Sequence, residues 1–217
     1  MILGIETSGK TCSVAVSKDD NILGEFFINN GLTHSETLMP MIDTCLKTLN
    51  IDISEIKKIA LSVGPGSFTG LRIGASIAIA LSQALKIKII EVSTLEVLAY
   101  NLINSNKLVV PIMDARRGQV YTAGFKNGIK IIEEQNILFE ELLEQIKQTG
   151  EEAIFLGDGT NLYGVVKPSK NLILGRASSV CLLASKIYKK TEKNYNEIEI
   201  NYLRKPQAER EYNEKNN

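Results

Sequence analysis

The stretch GPGSFTGLRIG, Gly64–Gly74, has the residue types that proteins use to hold phosphate groups. A glycine turn that follows a buried strand and begins a helix directs backbone N–H groups at an anion. The stretch matches neither a G-x-x-x-x-G-K-[ST] loop nor a G-x-G-x-x-G turn, and no lysine follows the turn. From the residues alone, a weak anion site and a plain tight connection between strand and helix both stay open.

A second stretch, GIETSGKT at Gly4–Thr11, does match the G-x-x-x-x-G-K-[ST] pattern of a P-loop. That mechanism needs a helix to begin at the lysine, so that its N-terminal N–H groups face the phosphates. Here residues 11–17 alternate as a strand does, and Gly4 lies inside the preceding strand. We therefore predict a β-hairpin turn at this position.

Carboxylates are the other residues with chemical potential. Glu6 and Asp114 could hold magnesium or act as general bases at a cleft, or they could accept hydrogen bonds from nearby backbone N–H groups. Arg116 and Arg117 could neutralise Asp114 or reach a partner's carboxylate. The candidate site for weak nucleotide or anion binding comprises Glu6, Thr7, Gly64, Gly66, Ser67 and Asp114.

Few residues are available for metal or nucleophilic chemistry. His34 is the only histidine, so the chain cannot supply a pair of histidines to a metal. Cys12, Cys45 and Cys181 are too dispersed for a zinc site, and no G-x-S-x-G nucleophile elbow is present. We expect no metal site within the chain.

Two helical segments carry more apolar surface than one sheet needs. In Phe68–Leu85, small residues recur at every fourth position, namely Gly70, Gly74, Ala78 and Ser82. In Ser35–Leu49, methionines lie beside the Leu/Ile stripe. Such faces suit close and adaptable contacts, either with the chain's own sheet or with a second protein. The residues that we assign to a partner interface are Leu38, Met41, Ile42, Cys45, Leu46, Gly70, Leu71, Gly74, Ile77, Ala78 and Leu81.

These residues are positioned by two similar halves of the chain. Apolar alternation and turn signals predict strand–strand–strand–helix–strand–helix in each half, which aligns Glu6 with Asp114 and the turn at 64–66 with that at 157–159. We predict an α/β fold with two duplicated βββαβα lobes and a cleft between them. The expected division is 1–106 for the first lobe and 107–217 for the second, with a tail that frays from about residue 206.

Composition narrows the class of protein. Lys plus Arg and Asp plus Glu number 25 each in 217 residues, so the chain lacks the basic excess of a protein that grips RNA by itself. The scattered cysteines fit a reducing compartment, and the N-terminus lacks the features of a signal peptide. No apolar run approaches the ~20 residues of a membrane span. We expect a soluble, cytoplasmic protein that makes no membrane contact.

The segments ILGIETS, THSETLMP, GPGSFTGLRIG, MDARRGQVY and NYLRKPQAE together resemble the bacterial TsaB family, also called YeaZ. The resemblance runs from Met1 to about Glu209 and implies the actin/sugar-kinase/Hsp70-like (ASKHA) fold. It implies a part in forming N6-threonylcarbamoyladenosine next to the anticodon of tRNAs that read codons beginning with A. It further implies binding to the catalytic TsaD subunit through the two helical segments, docking of the ATPase TsaE, and a homodimer when TsaD is absent.

The resemblance also implies that this chain is a non-catalytic subunit. TsaD-type relatives carry an H-x-x-x-H metal motif at a constant interval after the Gly-Pro-Gly turn, and in this chain those positions are Thr94 and Leu98. Neither residue replaces a histidine as a metal ligand. Glu6 departs as well, because aspartate is commoner at this position of the superfold. We therefore expect no cofactor, with any ADP or ATP bound weakly in the cleft or where TsaE meets the chain.

Some alternatives stay open. The chain could be an ASKHA-type ATPase or small-molecule kinase, or an autonomous homodimer with an unrelated structural role. Contact with tRNA is expected to be indirect or minor, and Arg204, Lys205 and Arg210 of the tail are the candidates for touching tRNA or TsaE.

Overall fold

The computed structural model describes residues 1–203, except for the side chains of residues 188–190. The predicted fraying of the tail and its candidate residues Arg204, Lys205 and Arg210 lie outside this range. In the first half, the elements are β1 (Ile2–Glu6), β2 (Cys12–Lys18), β3 (Asn21–Ile28), α1 (His34–Thr48), β4 (Lys58–Ser62), α2 (Phe68–Leu85), β5 (Lys88–Val92) and α3 (Thr94–Tyr100). Those of the second half are β6 (Leu108–Arg116), β7 (Gln119–Lys126), β8 (Ile129–Leu138), α4 (Phe139–Thr149), β9 (Ala153–Leu156), α5 (Thr160–Tyr163), α6 (Ala177–Thr191) and β10 (Glu192–Lys193).

The first lobe is built on a 6-stranded sheet in the order β10-β5-β4-β1-β2-β3. β1 pairs antiparallel with β2 and parallel with β4, and β4 pairs parallel with β5. Parallel neighbours need a crossover connection, and α1 and α2 supply the crossovers to β4 and β5. Both helices lie on the face of the sheet that carries Leu3 and Ile5, where they enclose the largest apolar core of the protein.

The second lobe repeats the first in a reduced form. Its 4-stranded sheet has the order β8-β7-β6-β9, which matches β3-β2-β1-β4 of the first lobe. The predicted duplicated α/β architecture of the ASKHA class is therefore confirmed. The last helix of the second repeat, α5, has only 4 residues. Within residues 1–203, this sheet gains no counterpart of β5.

The end of the chain departs from the predicted division, which gave all of 107–217 to the second lobe. α6 packs on the first sheet, where Ala177 and Cys181 contact Ala15, and Val180 and Ala184 lie in one cluster with β4 and β5. β10 then pairs antiparallel with β5 at the edge of the same sheet. α6 covers the sheet face opposite α1 and α2, so the first lobe is a three-layer structure that the C-terminal segment completes.

The turn within GIETSGKT is a hairpin turn, as predicted. β1 and β2 pair in register from Ile2 opposite Ser17 to Glu6 opposite Ser13, and residues 7–11 connect them. No helix follows Lys10, so the geometry of a P-loop is absent from this segment.

By length and composition α2 could cross a membrane, although the sequence pattern predicted no such segment. Core helices of globular proteins meet the same criterion, and the inner face of α2 packs on the sheet in this protein. Its first turn is also tied to the lobe, because Ser67 Oγ accepts the N–H of Gly70 and Thr7 Oγ1 donates to the Gly70 carbonyl.

Gly4 permits the close approach of α6 to β1, and a substitution here tests that packing. A Cβ atom on Gly4 would lie 2.7 Å from the backbone carbonyl oxygen of Ala177 and 2.6 Å from Cys181 Sγ. We expect Gly4→Ala to lower the free energy of unfolding by about 2 kcal/mol, because the helix backbone must move. Denaturant unfolding measures the change.

Gly9→Ala is the matched control, because a Cβ atom on Gly9 would meet nothing within 4 Å. We expect its effect to stay within about 0.5 kcal/mol of wild type. Equal losses in the two variants would show that close packing at Gly4 is not limiting.

Candidate functional site

A cavity of about 320 Å³ lies between the two lobes. The hairpin turn after β1 forms one wall, and the turn after β9 forms the other. The polar side chains around it belong to Glu6, Ser8, Lys10, Thr11, Asn29, Asp158, Asn161 and Lys170. Its apolar floor is made by Leu98, Met113, Ile173 and Leu174. The cavity therefore has acidic and basic side chains around an apolar floor, an arrangement that suits a small polar ligand.

Glu6 lies at the first-lobe side of this cavity with only 1% of its surface exposed. One carboxylate oxygen, Oε1, accepts hydrogen bonds from the backbone N–H of Ser8 at 2.7 Å and from the Ser8 hydroxyl. The other, Oε2, is buried without a hydrogen-bond partner. Burial raises the pKa of the Glu6 carboxyl above its ordinary value of 4.5, while the hydrogen bonds from Ser8 oppose the shift.

Asp158, and not Asp114, is the second acidic residue of the cleft. Asp158 accepts the backbone N–H of Asp114 at 3.3 Å, and burial raises the pKa of its carboxyl. The Asp114 carboxylate instead accepts the backbone N–H of Arg116 at 2.7 Å and lies 3.4 Å from its guanidinium. Asp114 thus has the structural role that the sequence left open, in a turn where Arg116 and Arg117 both have positive φ.

The glycine turn is packed against the chain itself and does not line the cleft. A Cβ atom on Gly66 would lie 2.4 Å from the carbonyl oxygen of Ser8, and that oxygen accepts the N–H of Ser67. A Cβ atom on Gly64 would lie 2.6 Å from the carbonyl oxygen of Asn201. Backbone groups of this chain therefore lie close beside the turn, and Gly64, Gly66 and Ser67 do not border the cavity, so anion binding at these residues stays a prediction.

Thr7 also belongs to the packing of the lobe. Its hydroxyl donates to the Gly70 carbonyl at 2.9 Å, which fastens β1 to the first turn of α2. His34 lies nearby, with Nε2 3.0 Å from the Gly9 carbonyl oxygen. A carbonyl oxygen can only accept, so Nε2 carries the proton in this contact. Among the six predicted residues, only Glu6 lines the cavity.

The two positions that correspond to the H-x-x-x-H motif lie on α3 and are buried. Thr94 Oγ1 is 2.8 Å from Ser62 Oγ, and Leu98 contributes to the apolar floor of the cleft. Over the described part of the chain, no group of three or more His, Cys, Asp or Glu side chains is placed to hold a metal ion.

Most residues predicted to meet a partner are in the lobe's own core. These are Leu38, Met41, Ile42, Cys45, Leu46, Gly70, Leu71, Gly74 and Ala78, whereas Ile77 and Leu81 are half-buried. The physical reason is that each helix turns its most apolar stripe towards the sheet. A Cβ atom on Gly74 would lie 2.3 Å from Thr7 Oγ1, so the small-residue stripe of α2 packs closely against the residue that follows β1.

A different set of residues forms the outer face of α2. The exposed positions are Phe68, Thr69, Arg72, Ser76, Ala80, Gln83 and Ala84. This face contains no acidic residue and only one charge, that of Arg72. α1 packs beside α2 and exposes Met39, with 43% of its surface accessible, next to Pro40. The spacing Ser76, Ala80, Ala84 is a second small-residue stripe, offset by two residues from the predicted one, and sequence periodicity alone could not tell which stripe faces outward.

The chain is similar in sequence and in fold to several known proteins. Residues 24–212 match a family model described as TsaD, tRNA N6-adenosine threonylcarbamoyltransferase. A Bacillus subtilis protein called tRNA threonylcarbamoyladenosine biosynthesis protein TsaB is 37% identical over 166 residues, which are 75% of this chain and 72% of that protein. A protein of the same name from Buchnera aphidicola subsp. Acyrthosiphon pisum is 34% identical over 217 residues, with 94% of this chain and 97% of that protein covered.

One solved structure, from Pseudomonas aeruginosa, is described as an uncharacterised protein with similarity to the peptidase YeaZ. It superposes with a TM-score of 0.82 at 23% identity and covers 94% of this chain and 99% of its own. The similarity concerns the fold. The only histidine of this chain, His34, contacts the Gly9 carbonyl at the hairpin turn.

The buried carboxyl of Glu6 predicts a pH-dependent contribution to stability. Its pKa is higher in the folded than in the unfolded chain, so the stability that its proton brings is present below pH 4.5 and is lost as the pH rises through the raised pKa. We expect the melting temperature of Glu6→Gln minus that of wild type to increase as the pH is raised from about 4 to about 8, because only wild type must ionise a buried carboxyl. Thermal melts across this range measure the difference.

Glu144→Gln, which removes an exposed carboxyl from α4, controls for the loss of one carboxylate. Parallel profiles for wild type and Glu6→Gln would contradict the assignment of a raised pKa to Glu6.

Proposed function

Because this chain belongs to the TsaB family of tRNA threonylcarbamoyladenosine biosynthesis proteins, we propose that it is a non-catalytic scaffold subunit that binds and activates a TsaD-type enzyme. The enzyme would form N6-threonylcarbamoyladenosine next to the anticodon of tRNAs that read codons beginning with A. A role on tRNA also implies a cytoplasmic location.

The observation that carries the proposal is the outer face of α2. An exposed aromatic ring, Phe68, and the short side chains of Ser76, Ala80 and Ala84 allow a second helix to lie close to this face. The half-buried Ile73 and Ile77 flank it, and α1 lies beside it with Met39 exposed. A partner that presents two helices in the same way would complete a four-helix interface.

The proposed lack of catalysis is supported by α3 and the glycine turn. Thr94 is hydrogen-bonded to Ser62, Leu98 is apolar, and the turn at Gly64–Gly66 is closed by backbone atoms of the chain. A TsaD-type enzyme would therefore supply the reacting groups, while this chain stabilises the conformation in which that enzyme is active.

Further partners follow from the family. We propose that the joined subunits provide the docking surface for a TsaE-type ATPase, and that two copies of this chain pair through the same helices when the enzyme is absent. The balance of 25 basic and 25 acidic residues favours an indirect or minor contact with tRNA.

The rival function, an ASKHA-type ATPase or small-molecule kinase, is favoured by the acidic residues of the cleft. Glu6 and Asp158 both line the cavity, and Lys10 lies with them. If the chain is a scaffold, the purified protein alone should show no magnesium-dependent ATP turnover above that of its Glu6→Gln variant. Turnover by wild type that Glu6→Gln abolishes would establish the rival instead.

The scaffold proposal predicts that a bulky charge on the outer face of α2 prevents assembly. Ala80 is exposed and helical, so Ala80→Arg should leave the melting temperature unchanged but weaken binding to the TsaD-type protein of the same organism by about 100-fold. Isothermal titration calorimetry of the two purified proteins measures the dissociation constant.

Gln148→Arg, at an exposed position of α4 in the second lobe, introduces the same side chain as a control and should bind as wild type does. Undiminished binding by Ala80→Arg would remove the outer face of α2 from the interface. An absence of binding by wild type would overturn the proposed function.

A further inference from the structure

The exposed beginning of α2 carries an ordered cluster of two aromatic rings and one arginine. The guanidinium carbon of Arg72 lies 3.7 Å from the centroid of the Phe68 ring. Arg72 Nε donates a hydrogen bond to the hydroxyl of Tyr202 at 3.0 Å, and the Phe68 and Tyr202 rings are 5.4 Å apart. The arginine is therefore held in one orientation although it is exposed to solvent.

The charge of Arg72 lacks a carboxylate partner within the described part of the chain. Only its Nε donor is engaged with Tyr202, which leaves the terminal nitrogens of the guanidinium directed elsewhere. A planar guanidinium stacked on a ring is prepared for a bidentate pair with a carboxylate, because little side-chain entropy remains to be lost.

Tyr202 is held in place by the segment that follows β10. The backbone N–H of Glu199 donates to Glu91 Oε1 at 2.7 Å, and that of Asn201 donates to the Val63 carbonyl at 2.8 Å. The first contact joins the segment to β5, and the second joins it to the start of the glycine turn. The backbone just before Tyr202 is thus fixed by hydrogen bonds to β5 and to the residue that precedes the glycine turn.

We propose that Arg72 is the charged anchor of the interface with the TsaD-type partner, where it pairs with a partner carboxylate, and that Phe68 and Tyr202 are its positioning residues. This inference rests on the proposed function. Arginine and large aromatic residues dominate the binding energy of protein interfaces, and Arg72 continues the outer line of Ser76, Ala80 and Ala84.

The charge pattern favours a partner of different sequence over a second copy of this chain. α2 contains neither aspartate nor glutamate, so pairing two copies through α2 would bring no acidic residue of that helix to Arg72. α1 carries two acidic residues: Glu36, whose carboxylate accepts the Thr33 hydroxyl at 2.6 Å, and Asp43, which is paired with Lys47 at 2.7 Å. A partner whose facing helix carries an accessible carboxylate would gain an ion pair that the homodimer lacks.

The test compares Arg72→Gln with wild type in calorimetric titrations against the purified TsaD-type protein at low and high salt. Arg72→Gln should bind about tenfold more weakly or worse at low salt and should lose most of the salt dependence shown by wild type. Arg72→Lys keeps the charge without the planar fork and should fall between the two. Lys147→Gln, an exposed lysine of α4, controls for the loss of one positive charge.

The positioning role of Tyr202 is tested by a double-mutant cycle. Tyr202→Phe removes the hydrogen bond to Arg72 and should weaken binding by about threefold. If Tyr202 acts through Arg72, then Tyr202→Phe in the Arg72→Gln background should cause no further loss. Fully additive losses would overturn the positioning role.

The inference and the proposed function fail in different ways. Loss of binding by Ala80→Arg, with Arg72→Gln binding as tightly and as salt-dependently as wild type, would overturn the anchor and leave the scaffold standing. If Arg72→Gln loses affinity and salt dependence to the same extent in self-association of the chain as in the complex, the preference for a partner of different sequence is overturned. If wild type fails to bind the TsaD-type protein, both proposals are overturned.

Discussion

Helices approach β1 and the residue after it from both sides, at distances that exclude any side chain at the contact. On one side, Gly70 and Gly74 of α2 lie close to Thr7. A Cβ atom on Gly70 would be 2.2 Å from the Thr7 carbonyl oxygen, and one on Gly74 would be 2.3 Å from Thr7 Oγ1. On the other side, Gly4 admits α6. Helix–sheet distances in the first lobe therefore depend on glycines at three positions, and the interlobe cleft begins where these contacts end, at Glu6 and Ser8.

This constraint explains both what the sequence could predict and what it could not. The limits of α2, the hairpin within GIETSGKT and the duplicated strand order follow from local patterns, namely caps, turns and periodicity. Local patterns do not show which way the small-residue stripe of α2 faces, that of Gly70, Gly74, Ala78 and Ser82. Small residues allow close packing equally on the helix's own sheet and on a partner protein. The same limit applies to α6, because its amphipathic pattern predicts a helix with one buried face but does not indicate which of the two sheets that face covers.

The cleft shows a similar limit. Glu6 was identifiable from its place at the end of a strand, but its acidic counterpart lies in the Gly-Asp-Gly turn and not at the end of β6. The alignment of that turn with Gly64–Gly66 was the available signal for Asp158. The two turns differ in surroundings that only tertiary structure supplies, because the first is closed by Ser8 and Asn201 and the second opens towards the cavity. Duplicated halves can thus keep their strand order while only one of the two turns still borders the cleft.

The return of α6 to the first lobe also bears on how the chain folds as it is synthesised. β1 is synthesised long before the layer that covers one of its faces, because that layer begins at Ala177 and the edge strand β10 ends at Lys193. Until then the first sheet exposes the apolar face that includes Ala15, Ala60 and Ile90. The sheet of the second lobe is complete in sequence before that of the first lobe is, so the nascent chain carries an unfinished N-terminal sheet until α6 and β10 have been made.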